Sequence, residues 1–79
     1  MTDQAIRIVL ADDHPAFREG VRSRLAQEPG LSVVGEASDG HTALAVVRQN
    51  VPDVLLLDME MPGLSGLEVT EQLHKTHTQ

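Results

Sequence analysis

Three carboxylates stand where short apolar runs stop: Asp12 and Asp13 after Ile6 to Ala11, and Asp58 after Val54 to Leu57. A carboxylate accepts hydrogen bonds, ligates hard cations and, when ionised, is an oxygen nucleophile. A single acid in such a place is ordinarily a solvated loop residue. An adjacent pair with a third acid at an equivalent position is a different case, because neighbouring parallel strands bring all three tips within side-chain reach. Gathered together, the three charges repel, and a hard divalent cation such as Mg²⁺, which favours oxygen ligands, is the natural counter-charge.

Other residues offer less. His74 and His77 are spaced i, i+3 on an expected helix, but no further ligand accompanies them, and they read as helix-end residues suited to the negative end of the helix dipole. His14 reads as a cap and His41 as a post-turn residue, neither with a catalytic role. Asp58-Met59-Glu60 loosely imitates the D-x-D signature of aspartate-nucleophile phosphatases, although Glu replaces the second Asp and the Asp12-Asp13 pair is left without a reason. No G-x-G-x-x-G follows the first apolar run, which argues against a dinucleotide site.

The elements that must position the acids alternate short aliphatic runs with amphipathic stretches, the pattern of βαβ units. Ile6 to Ala11 is the first strand. Pro15 suits a first helical turn and drives His14 into a cap position, and Phe17, Val21 and Leu25 recur at four-residue spacing until Pro29 and Gly30. Leu31 to Ala37 is the second strand. The turn signal Asp39-Gly40 leads into a stretch with Ala43, Leu44 and Val47 on one face, stopped by Asn50 and Pro52. Val54 to Leu57, apolar throughout, predicts a parallel strand covered on both faces. Met61-Pro62-Gly63-Leu64 fits a type II turn, and Ser65 with Glu68 forms a capping box that starts the last helix near Gly66. The order is β-α-β-α-β-α, an α/β fold in which right-handed crossovers make the sheet parallel.

Composition narrows the function classes. The 79 residues carry 6 basic and 12 acidic side chains, a formal charge of −6, with 41% apolar residues and no cysteine. The acidic balance opposes direct nucleic-acid binding, which rests on clustered Lys and Arg. Phe17 is the only aromatic residue, so no stacking platform for bases exists. No apolar run approaches a membrane span and MTDQAIR is no signal peptide, so a cytoplasmic location is expected.

Asp12-Asp13 after one strand, Asp58 after another, then Met61-Pro62 and Gly66, resemble the receiver domain of two-component response regulators. VLLLDMEMPGLSGLEV is similar to that family's phosphoacceptor segment, and LADDHPAFREGVRSRL to the acidic-pair segment of its NarL/FixJ subgroup. The resemblance implies a flavodoxin-like (CheY-like) sheet of order 2-1-3, with Asp58 as phosphoacceptor. Mg²⁺ would be held by Asp13, Asp58 and the main-chain carbonyl of Glu60, with Asp12 acting through a bound water. It implies a sensor histidine kinase as phosphodonor, docking on the first helix, where Arg18 and Arg22 line a face that a solvated surface explains equally well. A DNA-binding output domain, usual in the subgroup, is implied outside this chain.

The resemblance covers about the first two-thirds of a receiver, so residues 1–79 read as an incomplete receiver domain. The hydroxyl and Lys that the family supplies from its fourth and fifth strands have no counterpart here. The expectation is a signalling module and not an enzyme, weakly active or inert by itself. With the third strand left as an edge and an apolar face open beside the first helix, it should associate as a homodimer or larger assembly. A non-catalytic assembly role is the third reading.

Overall fold

The computed structural model describes residues 5–59 and 61–76. Strands β1 (Ile6–Ala11), β2 (Leu31–Ala37) and β3 (Val54–Leu57) alternate with helices α1 (Pro15–Ala26), α2 (Gly40–Asn50) and α3 (Gly66–Thr76). The three strands form one parallel sheet in the order β2-β1-β3. β1 therefore lies in the centre, and its last four residues, Ile8 to Ala11, are all buried. Its register with β2 slips between Ile8 and Val9, so that Ile8 faces Val33 while Val9 faces Gly35. Val34 is the extra residue of that bulge.

Chain direction decides the layers. The step from β1 to β2 runs one way across the sheet and the step from β2 to β3 runs back, so right-handed crossovers put α1 and α2 on opposite faces. On the α2 side, α2 and α3 close over a core of Ala11, Ala37, Ala43, Leu44, Met61 and Val69, with Val46, Leu55, Leu57, Leu64 and Leu73 packed against it. Among the described residues the other face carries only α1, which packs on β1 and β2 and buries none of its own residues.

This corrects the expectation of a third strand covered on both faces. Leu55 and Leu57 point into the core, but Val54 and Leu56 point to the α1 side and are 39% and 43% exposed. Period-2 alternation splits an all-apolar strand between two faces whatever covers them. Phe17, on the same side, is 62% exposed.

Local chemistry sets the helix starts. Pro15 opens α1 after His14, whose backbone is extended. Asp39 caps α2, its carboxylate accepting from the Thr42 main-chain N–H at 2.8 Å and from the Thr42 hydroxyl at 3.1 Å. α3 starts on the expected capping box: Ser65 N–H donates to Glu68 Oε1 at 2.8 Å, and Glu68 N–H donates to Ser65 Oγ at 3.2 Å. Gly63 takes a φ of 81°, the conformation the third residue of a type II turn requires. α2 ends less comfortably, on Val51 with φ 45° and ψ 64°.

Candidate functional site

Both acidic segments end a strand on the same edge of the sheet, and the ladder continues into them. Asp12 N–H donates to the Ala37 carbonyl at 3.0 Å, and Asp58 N–H donates to the Ala11 carbonyl at 2.8 Å. These bonds fix the two backbones at the C-terminal tips of β1 and β3, where ligands bind in open α/β sheets. Gly66 brings α3 up against the same segment, donating to the Met59 carbonyl at 3.0 Å. A Cβ there would lie 2.5 Å from the Asp58 carbonyl oxygen, so only glycine permits this approach.

The structure brings Asp12, Asp13 and Asp58 together, and adds His14. One donor atom from each of the four lies within 4.8 Å of every other. His14 Nδ1 is 3.0 Å from Asp12 Oδ1, 3.0 Å from Asp13 Oδ1 and 3.8 Å from Asp58 Oδ2. The contact with Asp12 is a hydrogen bond, and the His14 main-chain N–H donates to the same oxygen at 2.7 Å. The contact with Asp13 is close but not aligned as one, and Asp13 Oδ1 is covered from solvent without a hydrogen-bond partner. The His14 imidazole pKa is raised above its usual 6.5, first by the hydrogen bond to Asp12 and then by the charges of Asp13, Asp12 and Asp58.

A divalent cation fits this donor set. Three carboxylates and a covered oxygen lacking a partner are what a hard cation satisfies, and the side chains of Asp12, Asp13 and Asp58 are 16%, 32% and 22% exposed, so the pocket is open to an ion from solution. Glu60, expected to contribute its carbonyl, lies outside the described residues, as does His77.

Arg18 and Arg22, expected on a docking face, are both engaged within the chain. Arg18 Nε pairs with Glu36 Oε1 at 3.0 Å and Arg22 Nε with Glu36 Oε2 at 3.1 Å. Arg18 Nη1 also donates to the Asp12 carbonyl. Beside the acids, a cleft of about 840 Å³ runs along α1, lined on its apolar wall by Leu10, Phe17, Val21 and Leu56. Sequence reasoning missed His14 as a member of the cluster, reading it only as a cap. It also missed Glu36, whose tie to α1 depends on a pairing no local pattern reveals.

A parallel sheet of order 2-1-3 with acids converging on the tips of its first and third strands is the arrangement of a phosphorylation-type signalling module. The chain belongs to the response regulator receiver domain family, whose model matches residues 8–79. It is 48% identical over 66 residues to the probable transcriptional regulatory protein NarL of Mycobacterium tuberculosis, covering 84% of this chain and 31% of that protein. It is 43% identical over 68 residues to the nitrate/nitrite response regulator protein NarL of Escherichia coli, covering 86% of this chain and 32% of that one. Among solved structures, the signal receiver domain of the putative response regulator NarL from Mycobacterium tuberculosis superposes with a TM-score of 0.90 at 44% identity, over 92% of this chain and 59% of that one. The chain thus spans about a third of the length of these curated relatives. Among the described residues no helix is long and apolar enough to cross a membrane.

Proposed function

We propose that this receiver accepts a phosphoryl group on Asp58 from a sensor histidine kinase. The observation that carries the reading is the convergence of Asp12, Asp13 and Asp58, from two separate strand tips, on one solvent-accessible pocket. An ionised Asp58 oxygen attacks phosphorus as the bond from phosphorus to the kinase's histidine nitrogen breaks, which leaves an acyl phosphate on Asp58 and the imidazole as leaving group. Asp13 and Asp58, with the Glu60 carbonyl, would hold Mg²⁺, and Asp12 would act through a bound water. When bound, the ion supplies neutralisation of the charge on the phosphoryl oxygens. Residues of this chain do the positioning: the ladder bonds of Asp12 and Asp58 fix the two tips, and Gly66 lets α3 close against the second.

A hydroxyl and a lysine that would grip the transferred group are implied by the family resemblance and have no counterpart in these 79 residues. Lys75 follows about nine residues after the start of α3, roughly 14 Å along its axis. We therefore expect slow transfer by these 79 residues alone. In the whole regulator the phosphorylated module would control a DNA-binding domain, in keeping with relatives named as transcriptional regulatory proteins. The kinase would dock on the exposed side of α1, where Arg22 is the more open of the two arginines. A second copy of the chain is the other partner, meeting the open face of β3 and α1.

The test is incubation with acetyl phosphate and Mg²⁺, followed by intact mass spectrometry. The expected result is slow gain of one phosphoryl group, lost in Asp58→Asn and without metal. Modification that persists in Asp58→Asn would reject the assignment. Rapid turnover of a phosphate ester would favour a phosphatase instead.

A further inference from the structure

The acid pair is gripped by a side chain that stands outside the pocket. Asp12 N–H and the Ala11 carbonyl make ladder bonds at the tip of β1, so the Asp12 carbonyl is the next main-chain oxygen beyond the sheet. Arg18 Nη1 donates to it. That oxygen belongs to the peptide joining Asp12 to Asp13, and because the peptide is planar and contains both Cα atoms, fixing its oxygen fixes how the two side chains are turned relative to the sheet. Arg18 is braced in turn. Its Nε donates to Glu36 Oε1 at 3.0 Å, and Arg22 Nε takes Glu36 Oε2 at 3.1 Å. Glu36 immediately precedes Ala37 on β2, whose carbonyl accepts from Asp12 N–H. Asp12 is therefore clamped to one stretch of β2 from both sides, directly at its N–H and through a guanidinium at its carbonyl. Of the two arginines, the one that reaches Asp12 is the more shielded, 19% exposed against 45%.

We propose that Arg18, braced by Glu36, is a positioning residue for the acid pair, holding the Asp12–Asp13 peptide in the orientation that turns both carboxylates into one pocket with Asp58. The inference rests on the reading of that pocket as a Mg²⁺-dependent phosphoacceptor site and deepens it, by naming a residue that acts on the site without entering it. The bond falls on a main-chain oxygen, so it orders the pair without occupying a carboxylate oxygen of either acid. A guanidinium suits this task because its rigid fork serves two acceptors at once, whereas an ammonium is a single point charge on a flexible stem. Arg18→Lys thus keeps the charge beside the pocket and an ion-pair partner for Glu36, and gives up the fixed span from Glu36 to the Asp12 carbonyl. Arg22→Lys makes the same chemical change on the outer arm, which does not reach Asp12.

The experiment compares the 79-residue wild type, Arg18→Lys, Arg18→Met and Arg22→Lys by carbon-13 NMR of the Asp12 carbonyl, calorimetric titration with Mg²⁺ and thermal melting. Loss of the hydrogen bond should move the Asp12 carbonyl resonance upfield in both Arg18 variants and leave it in place in Arg22→Lys. Mg²⁺ affinity should fall about tenfold in the Arg18 variants, the scale of losing a partner that orients a ligand, and by no more than about twofold in Arg22→Lys. Arg18→Lys should melt close to the wild type, which separates positioning from folding, and it carries the test if Arg18→Met does not fold. A resonance that moves in Arg18→Lys while Mg²⁺ affinity stays at the wild-type value would overturn the positioning role alone. So would a resonance that moves in neither Arg18 variant, because the bond would then not exist in solution. Failure of the wild type to bind Mg²⁺ would overturn the reading of the pocket and this inference with it.

Discussion

Arg18, in the first turn of α1, donates from Nη1 to the main-chain carbonyl oxygen of Asp12 while its Nε holds Glu36 on β2. A cation at a helix N-terminus opposes the macrodipole, so this residue is placed for its tertiary partners and not for its helix. One guanidinium thereby ties α1, the tip of β1 and the C-terminal end of β2 together. Arg18→Met should cost about 1.5–3 kcal/mol, the range of a hydrogen bond to a charged group. Arg22→Met removes a more exposed pair with the same glutamate and should cost about 0–1 kcal/mol. Urea denaturation of the two variants checks the order. A larger loss from Arg22→Met would show that Asp12 is not held through Arg18.

Metal affinity should separate the adjacent acids. Asp13 presents a covered oxygen without a partner, whereas Asp12 Oδ1 already accepts two hydrogen bonds from His14. Asp13→Asn should therefore weaken Mg²⁺ binding more than Asp12→Asn does. Because an ion bound only to the folded form stabilises it, millimolar Mg²⁺ should also raise the melting temperature of the wild type. Equal losses in calorimetry, or an unmoved melting temperature, would contradict this assignment.

The strand-tip acids were legible because they are local signals: an apolar run, then a carboxylate. The ends of all three strands and the Ser65–Glu68 box followed from period and spacing alone. His14 was not legible as a site residue, since its approach to Asp13 and Asp58 depends on a side-chain direction that the pattern of a cap does not contain. Glu36 and Arg7 were missed for another reason. Each makes its bonds across elements remote in sequence: Glu36 to α1, and Arg7 through Nη1 to the carbonyls of Asn50 and Val51 at the end of α2. The uniform apolarity of β3 suggested cover on both faces, whereas the strand order, which leaves β3 at an edge, pointed to the open face that is found.

Val51 shows how magnitudes decide a substitution. The left-handed conformation costs a non-glycine residue roughly 1–2 kcal/mol, and a β-branched side chain is among the worst suited to it. Glycine costs about 0.5–1 kcal/mol in chain entropy, and Val51 is 66% exposed, so little burial is lost. Val51→Gly should stabilise the chain by about 0.5–1 kcal/mol. A lower midpoint in urea would mean that the Val51 side chain contributes contacts which outweigh its backbone strain.

Asp39 should make α2 sensitive to acid. Its pKa is lowered from the ordinary 3.8, chiefly by the hydrogen bond from the Thr42 main-chain N–H and then by that from the Thr42 hydroxyl. A folded pKa below the unfolded one means the unfolded chain binds the proton more readily. The contribution is therefore present above pH ~4 and is lost as pH falls through the folded value. Asp39→Asn keeps a capping oxygen but cannot titrate. The difference in melting temperature between wild type and variant should be flat at neutral pH and shift against the wild type below pH ~4. A difference independent of pH would show that the charge of Asp39 plays no part in the cap.

The open side of the sheet predicts association. Phe17 is 62% exposed, Leu56 43% and Val54 39%, and Phe17 and Leu56 border one cleft beside α1 with Leu10 and Val21. An apolar surface of this kind marks an interaction site, and an edge strand with one bare face is a pairing template. A second copy can cover the patch with the same patch, because a two-fold interface is self-complementary, and strands paired across such an axis run antiparallel. Phe17→Glu puts a charge in the middle of that contact without touching the core, since α1 buries none of its residues. The expected outcome is a dimer or larger assembly of the 79-residue chain by light scattering at micromolar concentration, shifted toward monomer by Phe17→Glu. A wild type that stays monomeric and folded across that range would refute the interface. A variant that associates as strongly as the wild type would move it away from α1.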